Sequence, residues 1–183
     1  MAKVKLCDQV CNSLIKYVTS GDDILIPNYF FDRYEMDLFR ITNNDMIVEY
    51  EIKTTRADYR ADFKKTYTMG PKSYSPGAKW KTVNKHEAMI SAECRTNRFF
   101  FVVPDGMVKP DEVPKYAGLI YYKGHNHFQV IKAAPLIHKR KATEGDPGVY
   151  KMLAKLLTVR ALAYRQKLQK LNYLGTVKKW IDQ

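Results

Sequence analysis

Apolar and polar positions recur along this chain with two different periods, and the switches between them mark out its elements. Leu6, Val10, Leu14 and Val18 fall near helical spacing within residues 4–18, so an amphipathic helix opens the chain. Ser20-Gly21-Asp22-Asp23 reads as its stop, with Gly21 as the C′ residue. Ile24 to Pro27 suits a short edge strand, because proline cannot donate to a ladder. Residues 35–41 and 46–53 read as two strands across the polar turn Thr42-Asn43-Asn44-Asp45. In the second strand Val48, Tyr50 and Ile52 share one face, and Glu49, Glu51 and Lys53 share the other.

A helix is expected over Arg56–Lys65, followed by a long loop at 66–84, where Gly70-Pro71 and Pro76-Gly77 break any regular pattern. Residues 85–94 suit a short helix. The unbroken apolar run Phe99–Val103 predicts a strand covered on both faces. Two further strands, at roughly 118–123 and 127–132, flank a hairpin turn at Gly124-His125-Asn126. Asp146 as N-cap and Pro147 at the first position start a final helix, about 146–172. It directs Leu153, Leu156, Leu157, Ala161 and Leu168 to the core and leaves Lys151, Lys155, Arg165, Lys167 and Lys170 on other faces. The reading is one α/β domain over 1–183, with a core at about 4–141 and a long C-terminal helix.

Composition narrows the setting. A chain of 183 residues buries a real core without staples. No apolar run approaches the roughly 20 residues that span a bilayer, and the N-terminus lacks a secretory apolar region. A cytoplasmic protein with no membrane partner is therefore the expectation. Three cysteines make an odd, sparse set that argues against a disulfide framework. Cys7 and Cys11 are spaced i,i+4 but lack a second pair, so they read as small helix residues rather than zinc ligands.

Charge changes the picture more. Thirty-one Lys and Arg against nineteen Asp and Glu give +12, an excess that favours polyanions through phosphate contacts and counterion release. Between residues 64 and 85, Lys64, Lys65, Lys72, Lys79, Lys81 and Lys85 are interleaved with Tyr67, Tyr74 and Trp80. Lysines supply phosphate contacts and rings supply stacking surfaces, so this segment is the candidate nucleic-acid interface.

Candidate chemistry sits on the two central strands. Phosphodiester hydrolysis uses a hard cation, and magnesium, which keeps several waters, needs only one or two carboxylates. Asp37 and Glu51 meet if their strands are neighbours, and Lys53 points to the same side to serve the water or the developing charge. A cross-strand salt bridge on an exposed sheet would look the same in sequence. Glu35 and Glu49 share strand faces with the pair and are candidates to assist. Arg56 is a candidate to hold the phosphate, and Asp58 to fix it or Lys53. His86 suits phosphate contact, proton transfer or plain capping, whereas Asp62 reads as a surface i,i+4 partner.

Asp37…Glu51-Ile52-Lys53 resembles the core signature of the PD-(D/E)XK nuclease superfamily. The following Thr55-Arg56-Ala57-Asp58-Tyr59-Arg60-Ala61-Asp62-Phe63-Lys64 resembles the MmcB-like DNA repair branch and its phage-encoded relatives. Asn97–Pro104, Val113-Pro114, Tyr116-Ala117-Gly118-Leu119-Ile120 and Ala134-Pro135 are similar to segments of that branch, so the likeness spans roughly 35–141. It implies a restriction-endonuclease-like fold, a central mixed sheet flanked by helices, with Mg²⁺ (or Mn²⁺) at Asp37 and Glu51. The implied activity is a DNA endonuclease of repair, recombination or phage DNA processing. Such enzymes commonly pair to cut two strands, which makes a homodimer a further expectation. Two departures stand out. Where many members carry an acid on the first helix, this one offers only Asp8, or the uncharged Gln9 and Asn12. The lysine-aromatic segment is also longer than the pattern requires. An inactive nucleic-acid-binding module that recruits or blocks other proteins, or an RNA-directed nuclease, fits the same residues.

Overall fold

The opening helix, α1 (Leu6–Val18), forms where the spacing places it, burying Val10, Cys11, Leu14 and Val18 along one side. Its C-cap is Thr19, and Gly21 takes a positive φ of 49° two residues later, inside the turn rather than at C′. The computed structural model describes residues 5–31, 34–69, 80–124, 126–144 and 147–181, with backbone alone for Met69 and 170–181.

Three strands follow: β1 (Ile24–Phe31), β2 (Tyr34–Ile41) and β3 (Ile47–Ile52). β1 lies at the sheet edge, as Pro27 requires, but runs on to Phe31, four residues past the apolar run. β2 and β3 pair antiparallel across the turn, where Asp45 takes φ 65° and its N–H donates to the Thr42 carbonyl. Next come α2 (Arg56–Asp62), β4 (Thr66–Met69), β5 (Lys81–Asn84) and α3 (Lys85–Ile90). The segment expected to be a loop thus begins and ends as an antiparallel pair, with Thr66 opposite Asn84. The Gly and Pro residues that argued for a loop lie between these strands, outside the described residues.

β6 (Arg98–Pro104), β7 (Ala117–Tyr122) and β8 (Phe128–Lys132) complete a six-stranded mixed sheet of order β1-β2-β3-β6-β7-β8. β3·β6 and β6·β7 are parallel, and the remaining pairs are antiparallel. Both faces of the centre are covered, which is why β6 reads as an unbroken apolar run. Val48, Tyr50, Ile52 and Val102 pack on the α1 side. Phe99, Phe101 and Val103 pack on the other side with Tyr59 of α2 and Met89 of α3. Gly118 is fixed by packing: a Cβ there would come within 2.5 Å of the Phe100 ring and 2.7 Å of the Ala134 nitrogen.

The chain divides into two compact units, Met1–Ala142 and Thr143–Gln183. The second carries α4 (Val149–Ile181), longer than the sequence pattern implied. It starts past Pro147, which lies in a turn, and Asp146 is outside the described residues. Of the residues expected to face a core, Leu153 is buried and Leu156 half-buried, but Leu157, Ala161 and Leu168 are exposed. The helical period was present, but a helix this long had more apolar positions than buried surface to receive them. No described helix is long and apolar enough to cross a membrane.

Candidate active site

At one end of the central sheet the β2–β3 ladder stops at Leu38 opposite Tyr50. Just beyond it, Asp37 Oδ2 accepts the Ile52 N–H at 2.7 Å, so a side chain takes over where backbone pairing ends. This places the half-buried Asp37 beside Glu51. Burial, and then the charge of Glu51, push the Asp37 carboxyl up to about 6. From α1, Cys11 Sγ lies 3.5 Å from the Asp37 carbonyl oxygen. Burial and the Asp37 charge raise the Cys7 thiol to about 11 and the Cys11 thiol to about 12. Asp8, Gln9 and Asn12 are all exposed. The i,i+4 spacing of Cys7 and Cys11 was the available sign that this helix face turns to the sheet.

Glu51 is buried and both its oxygens are taken. Oε1 accepts from Lys53 Nζ at 2.6 Å and from Lys65 Nζ, and Oε2 accepts from Lys85 Nζ at 2.8 Å. Burial alone would raise this carboxyl, but the charges of Lys85, Lys53 and Lys65 outweigh it and hold Glu51 below the usual carboxylate range. Lys53 also lies 2.9 Å from Asp62 Oδ1 and 4.0 Å from Asp58 Oδ1. Burial works against its charge, yet Glu51 and Asp62 raise it well above an ordinary lysine. Lys53 is therefore a fixed ammonium, suited to stabilising negative charge and unsuited to taking a proton from water.

Local structure explains how remote lysines reach Glu51. The Lys85 N–H donates to the Lys65 carbonyl at 2.9 Å, closing the base of the β4–β5 hairpin. Asn84 secures the junction, its Nδ2 donating to the Phe63 carbonyl while its Oδ1 caps α3 through the His86 and Glu87 N–H groups. Lys85 is buried between Glu51 and Glu49, 2.7 Å from Glu49 Oε1, with its ammonium 4.7 Å from the Tyr34 ring centroid and 5.2 Å from that of Phe99. Glu49 Oε2 accepts from the Tyr34 hydroxyl at 2.9 Å and from Thr96 Oγ1 at 3.0 Å.

Asp62 forms the other anchor. His86 Nε2 lies 2.9 Å from Asp62 Oδ2, and Tyr116 OH lies 2.6 Å from His86 Nδ1. The arrangement fits a Tyr116 hydroxyl donating to Nδ1 and an Nε2–H donating to the carboxylate. Burial opposes the Asp62 charge, but the His86 hydrogen bond and the Lys85 and Lys53 charges hold its carboxyl far below the ordinary range.

Several expectations are corrected here. Lys85, read as a nucleic-acid contact, is buried in the ion network. Asp62, read as a surface partner, is fully buried at its centre. Glu49 and His86 join the network, the first as an internal carboxylate and the second as a link between Tyr116 and Asp62. Glu35 is exposed and enters none of these bonds. Arg56 sits at the start of α2 but pairs with Glu112 and the Met107 carbonyl, tethering the β6–β7 connection. Lys64, Lys81 and Trp80 are exposed, as an interface requires, while Lys72 and Lys79 fall outside the described residues. Tyr34, Thr96 and Tyr116 had no signal in sequence, because they contribute single hydroxyls from separate elements.

Asp37 and Glu51 are hard oxygen donors whose mutual repulsion a divalent cation would relieve, so their chemistry fits Mg²⁺ with water completing the shell. Among the described residues no group of three Asp, Glu, His or Cys side chains is placed to hold a metal ion. Asp37 and Glu51, the second already neutralised by lysines, are the carboxylates that meet where the ladder ends.

No protein-family model and no curated protein matches the chain. Among solved structures it is similar to the SPO1766 protein of unknown function from Silicibacter pomeroyi, at 15% identity and a TM-score of 0.61. The likeness covers 90% of this chain and 94% of that one, and it supports the α/β fold.

Proposed function

We propose that this protein is a Mg²⁺-dependent DNA endonuclease whose reaction centre is Asp37, Glu51 and Lys53. The observation that carries the reading is the meeting of Asp37 and Glu51 where the β2–β3 ladder ends, with the Lys53 ammonium bonded to Glu51. Asp37 and Glu51 would hold the ion, which supplies a polarised phosphate and a more acidic water. Lys53 holds positive charge where the phosphorane develops negative charge. Asp62 fixes the Lys53 ammonium, and His86 and Tyr116 hold Asp62. Exposed Lys64, Lys81 and Trp80 supply phosphate and stacking contacts at the adjoining hairpin.

The test is cleavage of a panel of duplex, single-stranded and branched DNA, with RNA alongside, in Mg²⁺ or Mn²⁺. Lys53→Ala should cut at least about a hundredfold more slowly while keeping the parent circular dichroism spectrum. Absence of cleavage on every substrate, or an Lys53→Ala variant as active as the parent, sinks the reading. A second reading, a nucleic-acid-binding module without catalysis, is favoured by one observation: three lysines neutralise Glu51 with no ion needed. Calorimetry separates the two, since a binding-only protein has no Mg²⁺ affinity that depends on Asp37 and Glu51.

A further inference from the structure

Of the three ammonium groups around Glu51, two are sealed and one is not. The side chains of Lys53 and Lys85 are 4% and 1% exposed, whereas that of Lys65 is 44% exposed. Lys65 Nζ bonds Glu51 Oε1 and lies 2.7 Å from Asp62 Oδ1, and its charge also acts on Asp37. It therefore pairs with Glu51 and Asp62 and adds its charge to the surroundings of Asp37.

Its attachment is uneven. The Lys65 backbone is fixed, with the N–H on the Asp62 carbonyl and the carbonyl receiving the Lys85 N–H. The side chain meets Asp62 through charge: Asp62 Oδ1, like Glu49 Oε1 beside Lys85, has ammonium groups within ion-pairing distance and no directed hydrogen bond, so exposure is what distinguishes Lys65. Proximity of charge holds the ammonium at that oxygen, and its directed bond goes to Glu51 Oε1. A four-carbon stem on a half-exposed residue can turn its head group to water without moving the backbone.

We propose that the Lys65 ammonium is an internal competitor for the divalent cation, neutralising Glu51 and Asp62 in the ion-free protein and leaving when the ion binds. This rests on the metal-dependent reading above and adds to it a control on occupancy. The released ammonium, next to exposed Lys64, turns outward where a nucleic-acid phosphate would meet it. Ion entry and phosphate capture are coupled through one side chain.

The full-length protein tests this by calorimetric titration with Mn²⁺. Lys65→Met should bind about tenfold more tightly than the parent, because a unit positive charge has left the first contact distance of the ion. Lys65→Arg, which keeps the charge, and Lys64→Met, which removes a neighbouring one, should stay within about twofold. On the unmodified protein, brief acetylation read by mass spectrometry should show Lys65 more reactive with Mn²⁺ than without, and Lys85 unreactive in both.

Parent-like affinity in Lys65→Met, or equal tightening in Lys64→Met, overturns the proposal while leaving a metal-binding parent intact. Failure of both parent and Lys65→Met to bind Mn²⁺ overturns this proposal and the metal-dependent reading together. Should Lys65→Met not fold, unchanged Lys65 acetylation on adding Mn²⁺ to a binding parent overturns the proposal by itself.

Discussion

Glu51 divides the ion network into two halves that obey different rules. On its inner side Lys85, Glu49 and Thr96 are buried with Tyr34 half-buried beside them, and Glu49 Oε1 meets the Lys85 ammonium at 2.7 Å without a directed hydrogen bond. On its outer side Asp37 is half-buried, Lys65 is 44% exposed, and Asp58, at 51% exposure, stands 4.0 Å from Lys53. Bringing an ion inside costs several kcal/mol after relaxation, so an inner pair contributes little net stability while the loss of one partner is severe. Ion pairs in contact with water contribute about 0–1 kcal/mol and are readily exchanged. The inner half therefore holds the geometry of Glu51, and the outer half is where the site can change state.

The largest expected effect breaks the inner half. Lys85→Met leaves Glu49 and Glu51 without a shared cation and should destabilise the fold by about 3–5 kcal/mol, read by denaturant unfolding. Next is an opposite sign on the outer half. Asp37 titrates near 6 in the folded chain against 3.8 when free, so the folded state binds the extra proton between these values and stability falls as pH rises through that window. Asp37→Asn keeps an acceptor for the Ile52 N–H and removes the buried charge. In chelator it should be more stable than the parent above pH 6, by on the order of 1–3 kcal/mol, with the gain vanishing below pH 4. A gain independent of pH would refute burial of that charge as the cause.

Smaller effects sharpen the boundary. Tyr116→Phe removes one hydrogen bond to His86 and should destabilise by about 1 kcal/mol, with the thermal midpoint as the readout. Lys65→Met should change unfolding stability by less than about 1 kcal/mol, since the ammonium it removes is solvated. If Lys65→Met proved as damaging as Lys85→Met, the distinction between the two halves would disappear.

The strands were largely legible in sequence because each keeps period two or an unbroken apolar run, and Asp37, Glu51 and Lys53 could be located through them. The β4–β5 pair was hidden because four-residue strands beside Gly-Pro and Pro-Gly steps carry too little period to read. Lys85 and Asp62 were misassigned for a different reason. A charged residue looks solvated in sequence, and its burial follows from partners that tertiary structure brings in, here Glu49, Glu51 and His86. The three lysines of the network come from a strand end, the connection between α2 and β4, and a helix start, so no local spacing announces them. The outward face of α4 shows the converse, since apolar period alone did not secure burial at Leu157 and Leu168.

The single backbone bond from Lys85 to Lys65 that closes the hairpin acts as a clasp, backed by the Asn84 amide on the Phe63 carbonyl and by Tyr67 packing 5.5 Å from the Tyr34 ring. Two of the three lysines that meet Glu51 are set by the clasp itself. On the proposed nuclease reading, the residues that would meet a substrate and those that would hold the ion are joined at Lys65 and Lys85.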